Sequence, residues 1–169
     1  DIDRFKSNLI NLLDIVDEKE SEENVKIHLM DFMKNTWYSP DYHVATKDRT
    51  DLVIYTGKSP ESPAGVLFEV KRPLNKSDMI SRDNLNAKAL HELVLYYMRE
   101  RENGNDDIRR LVVTNIYEWF IFDANDFERL FYGNSEFLKN YQKWSSGQKV
   151  STNTDHFYEE IASKHVSKI

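Results

Sequence analysis

The sequence predicts an α/β fold, a mixed central β-sheet with helices on its sides, and three observations carry that expectation. Short β-branched and aromatic runs bounded by Gly, Pro and Ser occupy residues 51–56 and 65–73, which is how strands read. Stretches with helical periodicity precede, interrupt and follow these runs, in the order αα-βββ-α-ββ-ααα. The chain has 169 residues, 40% of them hydrophobic, enough for a real core in a single domain over residues 1–169.

Residues 2–16 place Ile2, Phe5, Leu9, Leu12, Leu13 and Val16 at helical spacing, which predicts a first amphipathic helix. Residues 17–20 form a charged break. Ser21 is a natural N-cap, with Glu22 and Glu23 in the first turn, where carboxylates suit the helix dipole. This second helix is expected to reach about Thr36, with Val25, Leu29, Phe32 and Met33 inward. Glu22 falls on the same inward stripe, an unusual place for a carboxylate. The plain alternative is a first-turn glutamate that only complements the dipole.

Residues 39–42 read as a turn and 43–46 as a short strand. Residues 51–56 and 65–71 then make an antiparallel hairpin, because Pro60 and Pro63 remove ladder donors from the segment between them. Pro73 stops the second strand. Asp83 or Asn84 is expected to cap a long helix reaching about Arg101, burying Leu85, Ala89, Leu93, Val94 and Tyr97. Lys88 and Glu92 form an i, i+4 pair near that face. Residues 111–114 and 119–122 are strands apolar on both faces, which predicts central places in the sheet. Helices follow at about 126–132, 135–144 and 154–165.

Folding the hairpin about its midpoint brings Asp51 level with Glu69 and Lys71. Side chains alternate along a strand, so Glu69 and Lys71 share a face. Two carboxylates and a lysine are therefore expected at one end of an otherwise apolar sheet. Mg²⁺ takes oxygen ligands and usually binds one or two carboxylates plus waters and phosphate oxygens. Asp51 and Glu69 suit that pair, with the Val70 carbonyl as a third ligand and Glu22 as a further carboxylate. Lys71 is placed to orient or deprotonate an attacking water, or to offset charge on phosphorus. The chemistry this pattern supports is metal-assisted phosphodiester hydrolysis. The bland alternative is a solvated strand end in which Asp51 and Lys71 pair across strands.

Asp51, then Glu69-Val-Lys71, with a glutamate-bearing helix before and a long helix after, resembles the PD-(D/E)xK nuclease superfamily, the restriction-endonuclease-like fold. The likeness runs from about Ser21 to Phe122 and implies an αβββαβ core with extra helices at both ends. Residue by residue, it implies that Asp51 and Glu69 are metal carboxylates, Lys71 the catalytic lysine, and Glu22, or Glu23 in its place, the first-helix carboxylate. Thr50 stands where the first motif often has proline. A finer resemblance is to the amino-terminal nuclease domain of type IIG restriction–modification enzymes. It is carried by Arg49-Thr-Asp-Leu-Val-Ile54, Glu69-Val-Lys-Arg-Pro73, residues 84–97 and Thr114-Asn-Ile-Tyr-Glu-Trp-Phe120. It implies a Mg²⁺-dependent endonuclease domain (Mn²⁺ substituting), duplex DNA as partner, and a transient dimer on DNA. Methyltransferase and target-recognition domains further along would use S-adenosylmethionine. Nuclease domains of type I restriction motor subunits look similar, and a non-catalytic docking module of the same fold is a third reading. Lys58, Arg72, Lys76 and Arg82 are the candidate DNA-facing rim, and Lys88 and Glu92 the candidate supports from the long helix.

The totals limit other functions. There are no cysteines, so disulfides and thiolate zinc sites are out and a reducing compartment is expected; the resemblance implies the cytoplasm of a bacterium or archaeon. The five histidines have no i, i+4 pair for a helical metal site. No apolar run approaches the ~20 residues that span a bilayer, so no membrane partner is expected. The net charge of −6 tells against a chain that grips nucleic acid alone. Asp rather than Met opens the chain, which reads as a piece of a longer protein. Thr56-Gly-Lys-Ser59 lacks the earlier glycine and following helix of a phosphate loop. Tyr117, Trp119, Phe120 and Phe122 are expected in the core rather than stacked on bases.

Overall fold

A computed structural model describes residues 1–147 and 153–169. Five strands form one sheet in sequence order: β1 (Val44–Lys47), β2 (Thr50–Tyr55), β3 (Ala64–Val70), β4 (Arg110–Thr114) and β5 (Trp119–Asp123). All neighbours are antiparallel except β3 and β4, which are parallel and therefore need a crossover. That crossover carries α3 (Lys88–Glu102). The α/β architecture with a mixed sheet flanked by helices is as expected.

Alternation along the strands divides the core in two. Leu52, Ile54, Phe68, Val70 and Val112 face α1 (Ile2–Ile15) and α2 (Glu22–Met33), meeting Leu12, Val16, Val25, Leu29 and Phe32. Val53, Tyr55, Leu67, Leu111 and Val113 face the opposite layer. That layer comprises α3, α4 (residues 124–132, α-helical Ala124–Phe127 then π-helical Glu128–Tyr132), α5 (Ser135–Ser145) and α6 (residues 154–166, π-helical over Phe157–Ala162). Burial of both faces explains why β2 carries no exposed residue and reads as a continuous apolar run.

The cap follows expectation at α2, where the Ser21 hydroxyl accepts from Asn24 N–H; at α5 Asn134 accepts from Phe137 N–H. The start of α3 departs from expectation. That helix starts at Lys88 after Ala87, and no side chain caps it. Asn84 instead accepts from Asn86 N–H in a local turn, the alternative use of such side chains. Leu85 thus lies outside the helix and is exposed rather than buried. Strand β5 is an edge, not a central strand. Ile121 is 64% exposed, and Tyr117, before the strand, is also exposed, while Phe120 and Phe122 pack on the α3-side core as expected. In α1 only Leu12 is buried, so its inward stripe is narrower than its periodicity implies.

Helix α3 runs back along β3. Glu92, near its start, meets Lys71 just past the end of β3. Near its other end, Asn105 Nδ2 bridges Glu100 and the Ala64 carbonyl at the start of β3, and Lys47 pairs with Glu100. The turn after β4 is set by Thr114, whose hydroxyl donates to the Glu118 carbonyl at 2.8 Å and accepts from Ile116 N–H at 3.0 Å. Ile116 has φ +79°, a strained conformation for a β-branched residue. The Thr114 carbonyl in turn accepts Lys71 N–H at 2.9 Å. Thr114→Val orphans the buried Ile116 N–H and is expected to cost about 1–3 kcal/mol, read as a lower urea midpoint at unchanged slope.

Candidate functional site

The β2–β3 register pairs Leu52 with Phe68, so Asp51 and Glu69 stand opposite each other one step further on. Residues opposed across an antiparallel pair share a face, here the α3 side. Lys71 is two residues beyond Glu69 on that same side. The three are 8%, 1% and 4% exposed. Such burial is rare for charged groups unless they are paired, and the pairing is dense.

Asp51 Oδ2 accepts the Val70 N–H at 2.8 Å, and Asp51 Oδ1 lies 2.6 Å from the Lys26 ammonium. The Lys71 ammonium sits between Glu69 Oε1 at 2.6 Å and Glu92 Oε2 at 2.5 Å. Glu69 Oε2 is buried and, among the described residues, has no hydrogen-bond partner. Tyr96 is buried on α3 beside it. Burial, then Glu69 and Asp51, push that phenol well above its usual range.

The electrostatics follow from a simple imbalance. Three carboxylates, those of Asp51, Glu69 and Glu92, face two ammonium groups, those of Lys26 and Lys71. Glu69 is raised well above the ordinary carboxylate value by burial, then by Asp51 and Glu92, against the opposing pull of Lys71. Burial works to lower Lys71, yet Glu69 and Glu92 outweigh it and leave the amine raised. Lys71 is therefore an ammonium at neutral pH. Of the roles expected for it, offsetting negative charge fits an ammonium held by two carboxylates.

A family model described as Domain of unknown function (DUF7149) matches residues 1–169. The chain belongs to the DUF7149 family. No curated protein and no solved structure matches it.

Several expected members of the site differ from expectation in the contacts they make in the DUF7149 fold. Glu22 is half-buried and makes no hydrogen bond or ion pair among the described residues, and Glu23 is exposed and paired with Lys26. The side chain that α2 sends to Asp51 is Lys26, one turn past Glu22. Its signal was weak: Lys26 follows the buried Val25 and is next to the inward stripe, and a lysine's long stem reaches around a strand end. Glu22→Gln is accordingly expected to shift stability by less than about 0.5 kcal/mol, with Mn²⁺ affinity unchanged by calorimetry. Val70 touches the site through its N–H, which fixes Asp51. Lys88 does not pair with Glu92. It lies over the Tyr158 ring at 5.9 Å, while Glu92 holds Lys71.

The expected rim also splits. Arg72, Lys76 and Arg82 are exposed, and none forms an ion pair among the described residues. All three lie on the segment that leaves the site between β3 and α3. Lys58 is in the β2–β3 turn at the far end of the hairpin, within 3.5 Å of Asp41. About six residues of strand at ~3.3 Å each separate it from Asp51, roughly 20 Å.

Among the described residues no three of His, Cys, Asp and Glu gather as a metal-binding set. Two carboxylates on one face still satisfy what Mg²⁺ asks of protein. The unpartnered Glu69 Oε2 is the oxygen that fits such an ion. No helix among the described residues is long and apolar enough to cross a membrane.

Proposed function

We propose that this domain is a Mg²⁺-dependent DNA endonuclease with a restriction-endonuclease-like core, working as the nuclease part of a type IIG-like restriction–modification enzyme in the cytoplasm. The observation that carries the reading is the convergence of Asp51, Glu69 and Lys71 on one face, with Glu69 Oε2 left unpartnered in the interior. Asp51 and Glu69 would hold the cation. When bound it supplies charge neutralisation on the phosphate and a more acidic water. Lys71, kept charged by Glu69 and Glu92, offsets the charge that builds on the phosphoryl oxygens as water attacks and the bridging oxygen departs. Arg72, the next residue and exposed, reaches the DNA backbone beside the reacting phosphate, with Lys76 and Arg82 further along the same segment. The rest of the DNA grip belongs to methyltransferase and target-recognition domains in the same protein.

Cleavage of duplex DNA with Mg²⁺ by the full protein, compared with Asp51→Ala, tests this. Wild-type cutting and a silent variant are expected, and equal cutting by both would end the proposal. A second reading, a non-catalytic module that keeps the fold for docking, is favoured by one observation: Lys26 and Lys71 already engage the two carboxylates. It predicts that no Mn²⁺ binds at the hairpin in calorimetry, whereas the nuclease reading predicts binding that Asp51→Ala removes.

A further inference from the structure

Lys26 has no place in the reaction as drawn, yet it holds one of the two residues the reaction needs. Its ammonium is 2.6 Å from Asp51 Oδ1. The other oxygen, Oδ2, is committed to the Val70 N–H, a backbone group that cannot leave without breaking up the strand end. Oδ1 is therefore the Asp51 oxygen open to exchange, and Lys26 occupies it. Glu69 contributes the neighbouring oxygen without a partner.

We infer that Lys26 and a divalent cation compete for Asp51 Oδ1, so that Lys26 is the residue that sets the affinity of this site for its ion. The inference rests on the nuclease reading above.

Three features separate Lys26 from Lys71. Lys26 comes from α2, on the far side of the sheet from α3, and reaches Asp51 around the end of β2. Its side chain is 15% exposed, against 5% for Lys71, which is bracketed by Glu69 and Glu92. Lys26 also already holds a second, exposed partner. Glu23 Oε1 is 2.8 Å away on the exposed face of α2, so the ammonium can quit Asp51 without being stranded. The second partner of Lys71, Glu92, is only 15% exposed, against 81% for Glu23.

Charge favours the exchange as well. With Lys26 in place, the three carboxylates outnumber the two ammonium groups by one. Replacing a single positive charge at Asp51 by a double one brings the cluster to neutrality, while Lys26 keeps the Glu23 carboxylate it already holds. Both cations cannot sit on one oxygen, because like charges at bonding distance repel strongly in a buried setting. Binding of the ion is therefore linked to release of Lys26, and the linkage lowers apparent affinity by the cost of that release.

Calorimetry with Mn²⁺ on this chain tests the competition. Lys26→Met is expected to bind about tenfold more tightly than wild type, within the roughly 5–150-fold span typical of coupled sites. Lys26→Arg, which keeps the charge, should stay near wild type, and Asp51→Asn should not bind. Equal or weaker binding by Lys26→Met overturns the inference and leaves the nuclease reading standing. Absence of binding by wild type and Lys26→Met alike overturns the metal reading, and this inference with it. A measurement on wild type needs no variant to fold: limited acetylation of amines, mapped by mass spectrometry with and without saturating Mn²⁺. Labelling of Lys26 should rise several-fold while that of Lys71 stays low. Unchanged Lys26 labelling on a chain that binds Mn²⁺ refutes the exchange.

Discussion

Lys71→Ala is expected to lower cleavage of duplex DNA by about 10²–10³-fold, the usual cost of removing one charge-stabilising donor from a buried site. The same change should destabilise the fold. With the ammonium gone, Glu69 and Glu92 face each other across the gap it bridged, one of them fully buried. Breaking a buried pair from one side typically costs about 3–5 kcal/mol, because the remaining charge is left without compensation. Urea denaturation at pH 8 reads that loss directly. It should shrink at pH 5, since a proton on Glu69, already raised by burial, replaces the missing positive charge. Activity should not return at pH 5, which separates lost chemistry from lost stability. Wild-type stability in Lys71→Ala at both pH values would mean that the buried pairs are not formed.

Glu69→Gln should do the opposite to stability and the same to activity. In the folded chain Glu69 is raised above its usual 4.5, first by burial and then by Asp51 and Glu92. The folded state thus keeps a proton that the unfolded chain gives up at about 4.5. Stability from this group is complete below that value and falls as pH climbs through the window up to the raised folded value. Glutamine keeps the shape without a titrating proton, and Lys71 retains Glu92 at 2.5 Å. The variant should therefore melt about 4 °C above wild type at pH 8, the shift expected from roughly 1–2 kcal/mol in a chain of this size. Near pH 4 the two curves should converge. Cleavage should disappear because the amide is a poor ligand for a hard cation. Parallel melting curves for wild type and variant across pH 4–8 would contradict the raised Glu69.

Much of this site was legible because it depends on strand geometry. A period of two and a hairpin folded about Pro60 and Pro63 are enough to put Asp51, Glu69 and Lys71 on one face, and the β2–β3 register agrees. What escaped depends on reach and context. Lys26 arrives from another layer through a flexible four-carbon stem, and no periodicity encodes where such a stem ends. Glu22 was favoured by its helical stripe, yet it is only half-buried and makes no hydrogen bond or ion pair among the described residues. Asn84 looked like a cap because the residues that cap helices also make local turns, and the turn won. Lys58 seemed near the site because it is near in sequence, whereas a hairpin carries its turn to the opposite end. The β5 run was apolar on both sides yet lies at an edge, where α4 and the core cover only part of it.

The parallel union of β3 with β4 has a consequence for how the domain assembles. A hairpin such as β2–β3 closes locally and fast, on the order of microseconds. The union of Val66 with Arg110 and of Val70 with Thr114 must wait for α3 to be laid across the intervening chain, and such distant pairings are the slow part of folding. Until then Glu69 and Lys71 remain hydrated at a bare strand edge, and only the arrival of Thr114 and Glu92 encloses them. The buried polar cluster is thus not complete before β4 docks, so a nascent chain should acquire it only after β4 has emerged.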